Sequence, residues 1–154
     1  MDHKQKYMKE ALKLAKKAEK EGEVPVGAVI VYDDKIIAKG YNRRKKEETT
    51  DSHAEMIAIK KANKKLGSWR LEDCDIYVTL EPCPMCAGTI IQARIANVYY
   101  GAKDVKAGAF GSVFDITQVE GLNHYPHVEG GILEEQCSNI LTDFFKKLRE
   151  KEKD

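Results

Sequence analysis

The stretch "TLEPCPMCAGTI", residues 79–90, decides the fold, because it joins a strand to a helix and carries the closest cysteine pair in the chain. The overlapping segment "DIYVTL", residues 75–80, has apolar residues at every second position and is rich in β-formers, which predicts a strand. Small and apolar residues then predict a helix to about Ala93. Pro82 suits its first turn, since proline has no amide hydrogen to leave unsatisfied. The cysteines therefore lie where free helix amides and the helix dipole favour thiolates.

The rest of the chain alternates predicted helices with predicted strands. The segments "RRKKEETTD" (43–51) and "GAKDVKAGAFGSVF" (101–114) predict loops, and Asp51 or Ser52 is expected to cap the helix after the first of them. This alternation predicts a single α/β domain, residues 1–154, with helices on both faces of its sheet. The remaining predicted elements are a helix from about His3 to Glu21 that ends at Gly22, a β-hairpin of "VPVGAVIVY" (24–32) and "KIIAKGYN" (35–42), a helix from about His53 to Lys65, a strand at "ANVYYG" (96–101), a short strand in "HVEGG" (127–131), and a helix from Leu133 to about Lys151.

Composition places the chain among globular proteins. Of its 154 residues, 42% are apolar and 33% are charged, which is enough for an ordinary hydrophobic core. The longest apolar runs are too short to span a bilayer, and the charged N-terminus is unlike a signal peptide. We therefore expect a cytoplasmic protein without membrane association. The four cysteines are unlike a secreted disulfide framework, because such frameworks serve chains that lack a sufficient core.

Basic residues are unevenly distributed, although the formal net charge is only +1. Residues 56–71 hold five lysines and arginines and no acid, and Arg43 to Lys46 form a second basic cluster. Such runs are most often solvated surface, and they are also compatible with a nucleic-acid contact. They permit an RNA partner without requiring one.

Cys83 and Cys86 form a Cys-x-x-Cys pair, which is typical of either a metal site or a redox dithiol. His53, at the predicted start of another helix, is available as a third ligand, so that two helix N-termini can converge on one cation. Three protein ligands indicate a catalytic zinc site with one open position, whereas a structural site has four. A fourth ligand that would close the site could come only from distant residues: Cys74, His124, His127 or Cys137.

Glu55 lies two residues after His53 in the first turn of the same predicted helix. A carboxylate there can take a proton from zinc-activated water and return it to a leaving nitrogen. Taken alone, Glu55 is an ordinary first-turn acid and His53 a surface or capping residue. Taken together, His-x-Glu followed by Pro-Cys-x-x-Cys is the known signature of zinc-dependent base deaminases.

"HAEMIAI" (53–59) together with "TLEPCPMCAGTI" resembles the bacterial tRNA adenosine deaminases, within the cytidine-deaminase superfamily. The resemblance covers nearly the whole chain and implies a cytidine-deaminase-like fold, with three α/β/α layers around a central mixed five-stranded sheet. It also implies a homodimer. Other stretches that resemble this family in the same order are "GEVPVGAVIV" (22–31), "GYNRR" (40–44), "LGSWRLEDC" (66–74), "YGAKDVKAGAFGS" (100–112), "LNH" (122–124) and "FFKKLR" (144–149).

The resemblance implies hydrolytic deamination of adenosine to inosine at the wobble position of a tRNA anticodon, by zinc-activated water with Glu55 as the proton shuttle. It assigns the zinc to His53, Cys83 and Cys86. The implied partner is a tRNA anticodon stem-loop, whose phosphates the basic clusters would contact. Val26 is expected either in the wall of the base pocket or, equally, in the hydrophobic core. The implied substrate contacts are Asn42, the backbone amide of Ala54, Asp104 and Asn123.

The chain departs from the family pattern at three places. Thr50-Asp51-Ser52 replaces the usual Pro-Thr-Ala, and Asp51 adds a negative charge beside a site expected to admit RNA. Phe110 is bulkier than the residue expected in its glycine-rich loop. Pro126 stands where no proline is expected and would deny an amide to local strand pairing. These departures bear on substrate preference rather than on the zinc chemistry.

Three other functions are compatible with parts of this pattern. The same metal site could deaminate a free nucleobase, nucleoside or nucleotide. A non-catalytic zinc-stabilised binding module would need a fourth ligand and would leave Glu55 without a role. A cytosolic redox protein would use Cys83 and Cys86 as a dithiol, and would leave both His53 and Glu55 unexplained.

Overall fold

The computed structural model describes residues 2–153, and its strands form one five-stranded sheet in the order β2-β1-β3-β4-β5. Strand β1 pairs antiparallel with β2 and β3, and β4 lies parallel between β3 and β5, so the predicted mixed sheet is confirmed. The helices and strands are α1 (His3–Lys20), β1 (Gly27–Tyr32), β2 (Lys35–Tyr41), α2 (Arg44–Glu47), α3 (Ala54–Leu66), β3 (Cys74–Leu80), α4 (Pro84–Gln92), β4 (Asn97–Ala102), β5 (His127–Glu129) and α5 (Glu134–Lys153).

The sheet has helices on both faces, because side chains of its central strands point alternately to opposite sides. On one face, Ala28 and Ile30 of β1 belong to a core cluster with residues of α3 and α4. On the other face, Val29 and Val31 of the same strand belong to a cluster with residues of α1 and α5. The predicted three-layer α/β/α arrangement is confirmed.

The strand directions bring the ends of three strands to one edge of the sheet. Strands β2 and β3 are both antiparallel to β1, and β4 is parallel to β3, so all three end at the same edge. The chain leaves β2 toward α3 and leaves β3 directly into α4. The N-termini of these helices therefore meet beside the segment that follows β4, a common position for a site in α/β proteins.

The predicted loop 43–51 contains a helical turn, α2, and that part of the prediction is wrong. The carboxylate of Glu23, which is only 3% exposed, accepts hydrogen bonds from the backbone amides of Lys45 (3.1 Å) and Lys46 (2.7 Å). An acidic side chain that binds first-turn amides stabilises a helix start. Glu23 lies 22 residues before Lys45 in the chain, so no local sequence pattern indicates this contact.

The N-termini of the two helices beside the predicted metal residues also differ from the prediction. The N-cap of α3 is His53, without a side-chain capping bond, and Ser52 Oγ instead donates to Glu47 Oε1 at 2.6 Å. The proline in the first turn of α4 is Pro84, whereas the Pro82 carbonyl accepts a hydrogen bond from the amide of Ala109. The strand-to-helix junction itself is confirmed, because Cys83 is the N-cap of α4.

Two further features of the sequence have a structural outcome. Pro126 lies directly before β5, whose pairing begins at His127, so the missing amide hydrogen of the proline costs no bond of the ladder. Within residues 2–153, no helix is long and apolar enough to span a membrane.

Gly40 of β2 allows the start of α3 to approach the sheet closely. A β-carbon at Gly40 would overlap the carbonyl oxygen of Ala54 and lie 2.8 Å from the amide nitrogen of Ala58. We expect Gly40→Ala to lower the free energy of unfolding by about 2–3 kcal/mol, because overpacking against backbone displaces α3. Denaturant titration would measure this loss.

Gly88→Ala is the matched control, since a β-carbon at Gly88 in α4 would meet no heavy atom within 4 Å beyond its chain neighbours and the backbone of its own helix. We expect Gly88→Ala to raise the free energy of unfolding by about 0.5–1 kcal/mol, because alanine favours a helix interior. Equal effects of the two substitutions would contradict the close approach at Gly40.

Candidate metal centre and active site

Two helix N-termini bring the three predicted metal ligands together. His53 precedes α3, Cys83 precedes α4, and Cys86 lies in the first turn of α4. One donor atom from each of the three residues lies within 4.8 Å of the others, and together they can hold a metal ion. Cys86 is fully buried, whereas His53 and Cys83 are half-buried and face the surface side of the group.

The distances fit a tetrahedral ion. His53 Nδ1 lies 3.7 Å from Cys83 Sγ and 3.6 Å from Cys86 Sγ. For zinc, with Zn–N near 2.05 Å and Zn–S near 2.3 Å, tetrahedral geometry requires an N···S distance of about 3.6 Å. One imidazole and two thiolates form a donor set that zinc prefers, and three protein ligands leave one position open.

The three groups share protons through mutual hydrogen bonds. The pKa of Cys83 is lowered to about 4, because its sulfur accepts hydrogen bonds from the Cys86 thiol and the His53 ring. The pKa of Cys86 is raised, because its proton is held by Cys83 and the sulfur is buried. The pKa of His53 is raised, mainly by its hydrogen bond to Cys83. A divalent cation would replace these protons, since ligation requires thiolates and a neutral imidazole.

Glu55 lies in the first turn of α3 and is only 4% exposed. Burial raises the pKa of its carboxyl to about 7, because the charged form loses its hydration. A carboxyl group with a pKa near neutrality can both accept and release a proton, as a general acid–base catalyst must. Glu55 therefore has the electrostatic properties of a proton shuttle.

A cavity of about 750 Å³ opens over the metal residues. Its size falls within the usual range for small-molecule sites and accommodates one nucleoside with part of its neighbours. Apolar walls come from Val26, Leu80 and three residues of α5, Phe144, Phe145 and Leu148. The predicted site residues that line it are Asn42, His53, Ala54, Glu55, Cys83 and Asp104.

Asn42 and Asp104 both line this cavity, and the side chain of each is hydrogen-bonded to backbone groups. Asn42 Nδ2 donates to the carbonyl of Val24 at 3.2 Å, and its Oδ1 accepts from the amide of Arg44. The carboxylate of Asp104 accepts from two amides of its own turn. The side-chain amide of Asn42 keeps one N–H donor for a ligand, and the carboxylate of Asp104 keeps one oxygen acceptor. The backbone amide of Ala54 belongs to the first turn of α3, where amides lack intrahelical partners.

Asn123 is the one predicted contact that does not line the cavity. It is exposed and precedes His124, whose ring is hydrogen-bonded to the carbonyl of Ile95 at 2.7 Å. Its role in substrate binding stays a prediction. The apolar wall from α5 was not predicted from the sequence, although the aromatic and basic run "FFKKLR" was an available signal.

Comparisons with known proteins agree with this geometry. A family model for MafB19-like deaminases matches residues 1–149. A tRNA-specific adenosine deaminase of Bacillus subtilis (strain 168) is 51% identical over 147 residues, which are 96% of this chain and 91% of the relative. A tRNA-specific adenosine deaminase of Streptococcus pyogenes serotype M1 is 46% identical, over 96% of this chain and 86% of the relative.

A solved structure supports the fold assignment. It comes from a study of A-to-I editing by tRNA:A34 deaminases at the wobble position of transfer RNA. It superimposes with a TM-score of 0.83 at 41% identity, over 88% of this chain and 98% of that chain. The cytidine-deaminase-like fold expected from the sequence is confirmed. The chain belongs to the MafB19-like deaminases and, within them, to the tRNA-specific adenosine deaminases, a family of hydrolases.

Proposed function

We propose that residues 1–154 form a single zinc-dependent domain that converts adenosine to inosine at the wobble position of a tRNA anticodon. The observation that carries this proposal is the group of His53, Cys83 and Cys86 beside a cavity of about 750 Å³ that His53, Glu55 and Cys83 line. The similarity to tRNA-specific adenosine deaminases over 96% of the chain supports the choice of substrate.

His53, Cys83 and Cys86 would hold the zinc ion. When bound, zinc in a site of this kind supplies Lewis-acid activation of water near neutral pH. The net reaction adds one water at C6 of adenine and releases ammonia, so two proton movements must be served.

Glu55 serves both proton movements in this proposal. Its carboxyl takes one proton from the attacking water and delivers it to N1 of the base, and then assists transfer to the departing amine. The burial that raises its pKa also keeps bulk water away from the proton.

The cavity supports recognition of a base that has left its stack. Apolar side chains such as Val26 and Leu80 give the flipped ring a dry wall, and Asn42 and the amide of Ala54 offer polar contacts. Asp104, and Asn123 from outside the cavity, are proposed to contact the nucleotide and its neighbours. An anticodon loop suits such a site, because its bases are splayed out at small cost.

Basic residues at the rim support an RNA substrate. Arg44 and Lys45 line the cavity, and Arg44 Nη1 lies 3.4 Å from His53 Nε2. We expect Arg44→Gln to weaken stem-loop binding and to reduce the slope of log Kd against log salt concentration by about 0.7 to 0.9, because one phosphate contact is lost. Fluorescence anisotropy at several salt concentrations measures both quantities.

Lys13→Gln is the matched control for this charge loss. Lys13 is exposed on α1 and pairs with Glu10, and α1 lies on the opposite face of the sheet from α3 and α4. We expect its substitution to leave the salt slope unchanged. The same slope in wild type and Arg44→Gln would contradict a phosphate contact at Arg44.

We also propose that the protein is a homodimer in the cytoplasm, as its family resemblance implies. Large apolar side chains that stay exposed support an interface with a second copy. These include Trp69, Val105, Val113, Phe114 and Val119.

The experiment that tests the proposed function compares substrates. The zinc-loaded protein is incubated with a tRNA anticodon stem-loop, free adenosine, free cytidine, guanine and cytosine, and products are separated by chromatography. We expect conversion of the stem-loop alone. Turnover of a free base or nucleoside would keep the zinc chemistry and overturn the substrate. No turnover of any substrate with zinc bound would favour a non-catalytic binding module.

A further inference from the structure

Glu81 is a buried carboxylate with no assigned role. It follows β3, is only 2% exposed, and lines the cavity between the sheet and the loop after β4. Its Oε1 accepts hydrogen bonds from the Asp104 amide at 3.1 Å and from the Ser112 hydroxyl. Its Oε2 accepts from the amides of Phe110 at 2.9 Å and Ser112 at 3.2 Å. Four donors from one loop therefore converge on a single side chain.

These bonds hold the segment from Asp104 to Ser112 in a closed loop around the carboxylate. Gly108 lies so close to Glu81 that a β-carbon there would overlap the carboxylate. Backbone bonds from the Gly108 amide to the Asp104 carbonyl, and from the Ala109 amide to the Pro82 carbonyl, tighten the same loop. Ala109 and Phe110 anchor this loop in the hydrophobic core, and the bonds to Glu81 set the path of its backbone on either side of them.

The carboxylate fixes the position of Asp104 at the cavity wall. Its Oε1 holds the amide of Asp104, while the side chain of Asp104 accepts from the amides of Lys106 and Ala107. The backbone amide and the side chain of Asp104 are thus both held by hydrogen bonds, and Glu81 holds the loop to which they belong. A shift of this residue changes the contact that it offers to a nucleotide.

We propose that Glu81 is a positioning residue for RNA binding, which acts by holding Asp104 and its loop against the nucleotide pocket. This inference rests on the proposed function, because Asp104 is a substrate contact only if a nucleotide enters the cavity. Glu81 does not touch the reacting atoms in this assignment. Its loss should therefore weaken binding and leave the chemical step intact.

Glu81→Gln is the sharpest variant, because it keeps the size of the side chain and removes one acceptor. If the remaining oxygen still accepts hydrogen bonds from the amides of Phe110 and Ser112, the new NH₂ group faces the Asp104 amide. An NH₂ group is a donor and cannot accept a hydrogen bond from that amide. We expect Kd for the stem-loop, measured in a Glu55→Ala background, to rise about tenfold. The single-turnover rate at saturating RNA, with Glu55 present, should stay within about twofold of the wild type, because no reacting group changes.

Four measurements separate positioning from general structure. Zinc content should be unchanged, and Val29→Ala, in the opposite core, should lower stability without changing Kd. The double variant Glu81→Gln/Asp104→Ala should bind no more weakly than Asp104→Ala, because Glu81 acts through Asp104. Amide hydrogen exchange at Asp104 should become faster in Glu81→Gln but not in Val29→Ala.

An unchanged Kd, a loss of zinc, or additive effects in the double variant would each overturn the inference. Failure of the proposed function gives a different result, namely a wild-type protein that neither binds nor converts the stem-loop. In that case the exchange rate at Asp104 still decides whether Glu81 holds the loop.

Discussion

Replacing Glu55 with glutamine should lower the single-turnover rate of deamination by about three to four orders of magnitude. Glutamine has nearly the same size, so the cavity and the start of α3 should keep their shape. It cannot take a proton from water or pass one to N1, whereas the carboxyl of Glu55, with a pKa raised to about 7 by burial, can do both. Chromatography of nucleosides after digestion measures the inosine formed.

Two measurements show whether the loss is chemical. Metal analysis should find the same zinc content in Glu55→Gln as in the wild type, and stem-loop affinity should change by less than about twofold, because only the proton transfer is removed. Glu10→Gln, a half-buried acid on α1 that pairs with Lys13, is the matched control and should retain full activity. Zinc loss in Glu55→Gln would instead make Glu55 a structural residue of the metal site.

Replacing Cys86 with alanine should remove the metal and much of the stability that the metal provides. Cys86 is fully buried, and its sulfur lies 3.6 Å from His53 Nδ1, so its loss leaves only His53 and Cys83 of the three-residue group to hold the ion. At free zinc about 100 times its dissociation constant, a bound ion adds about 2.7 kcal/mol to the free energy of unfolding. Thermal unfolding with and without a chelator measures this contribution.

Cys74→Ala is the matched control, because Cys74 is also a fully buried free cysteine but belongs to no metal group within residues 2–153. We expect a chelator to lower the Tm of the wild type and of Cys74→Ala equally. The Tm of Cys86→Ala should start lower and should not respond. A chelator response retained in Cys86→Ala would remove Cys86 from the ligand set.

The strands were predictable because they have clear periodicity. Residues such as Ile76 and Val78 mark β3 by alternation, and the junction at Cys83 follows from the change to helical composition. The metal residues were also recognisable from their spacing, since each lies at the start of a helix. Sequence alone therefore indicated where His53 and Glu55 meet the cysteines.

Contacts between distant segments were not predictable. The turn α2 is held by Glu23, which binds its backbone amides. The loop after β4 is held by Glu81, which binds the backbone amides of Asp104 and Phe110. A glutamate in a sequence gives no sign that it will be buried against backbone amides. The contribution of Phe144 and Phe145 to the cavity depends on the packing of α5, which lies far from the metal residues in the chain.

The most direct test of the proposed function is a single-turnover assay on a tRNA anticodon stem-loop that carries adenosine at the wobble position and a second adenosine elsewhere in the loop. Sequencing, which reads inosine as guanosine, locates each conversion for zinc-loaded wild type and Glu55→Gln. We expect conversion at the wobble adenosine alone, and only by the wild type. Conversion at both adenosines, or equal conversion by Glu55→Gln, would contradict the proposed function.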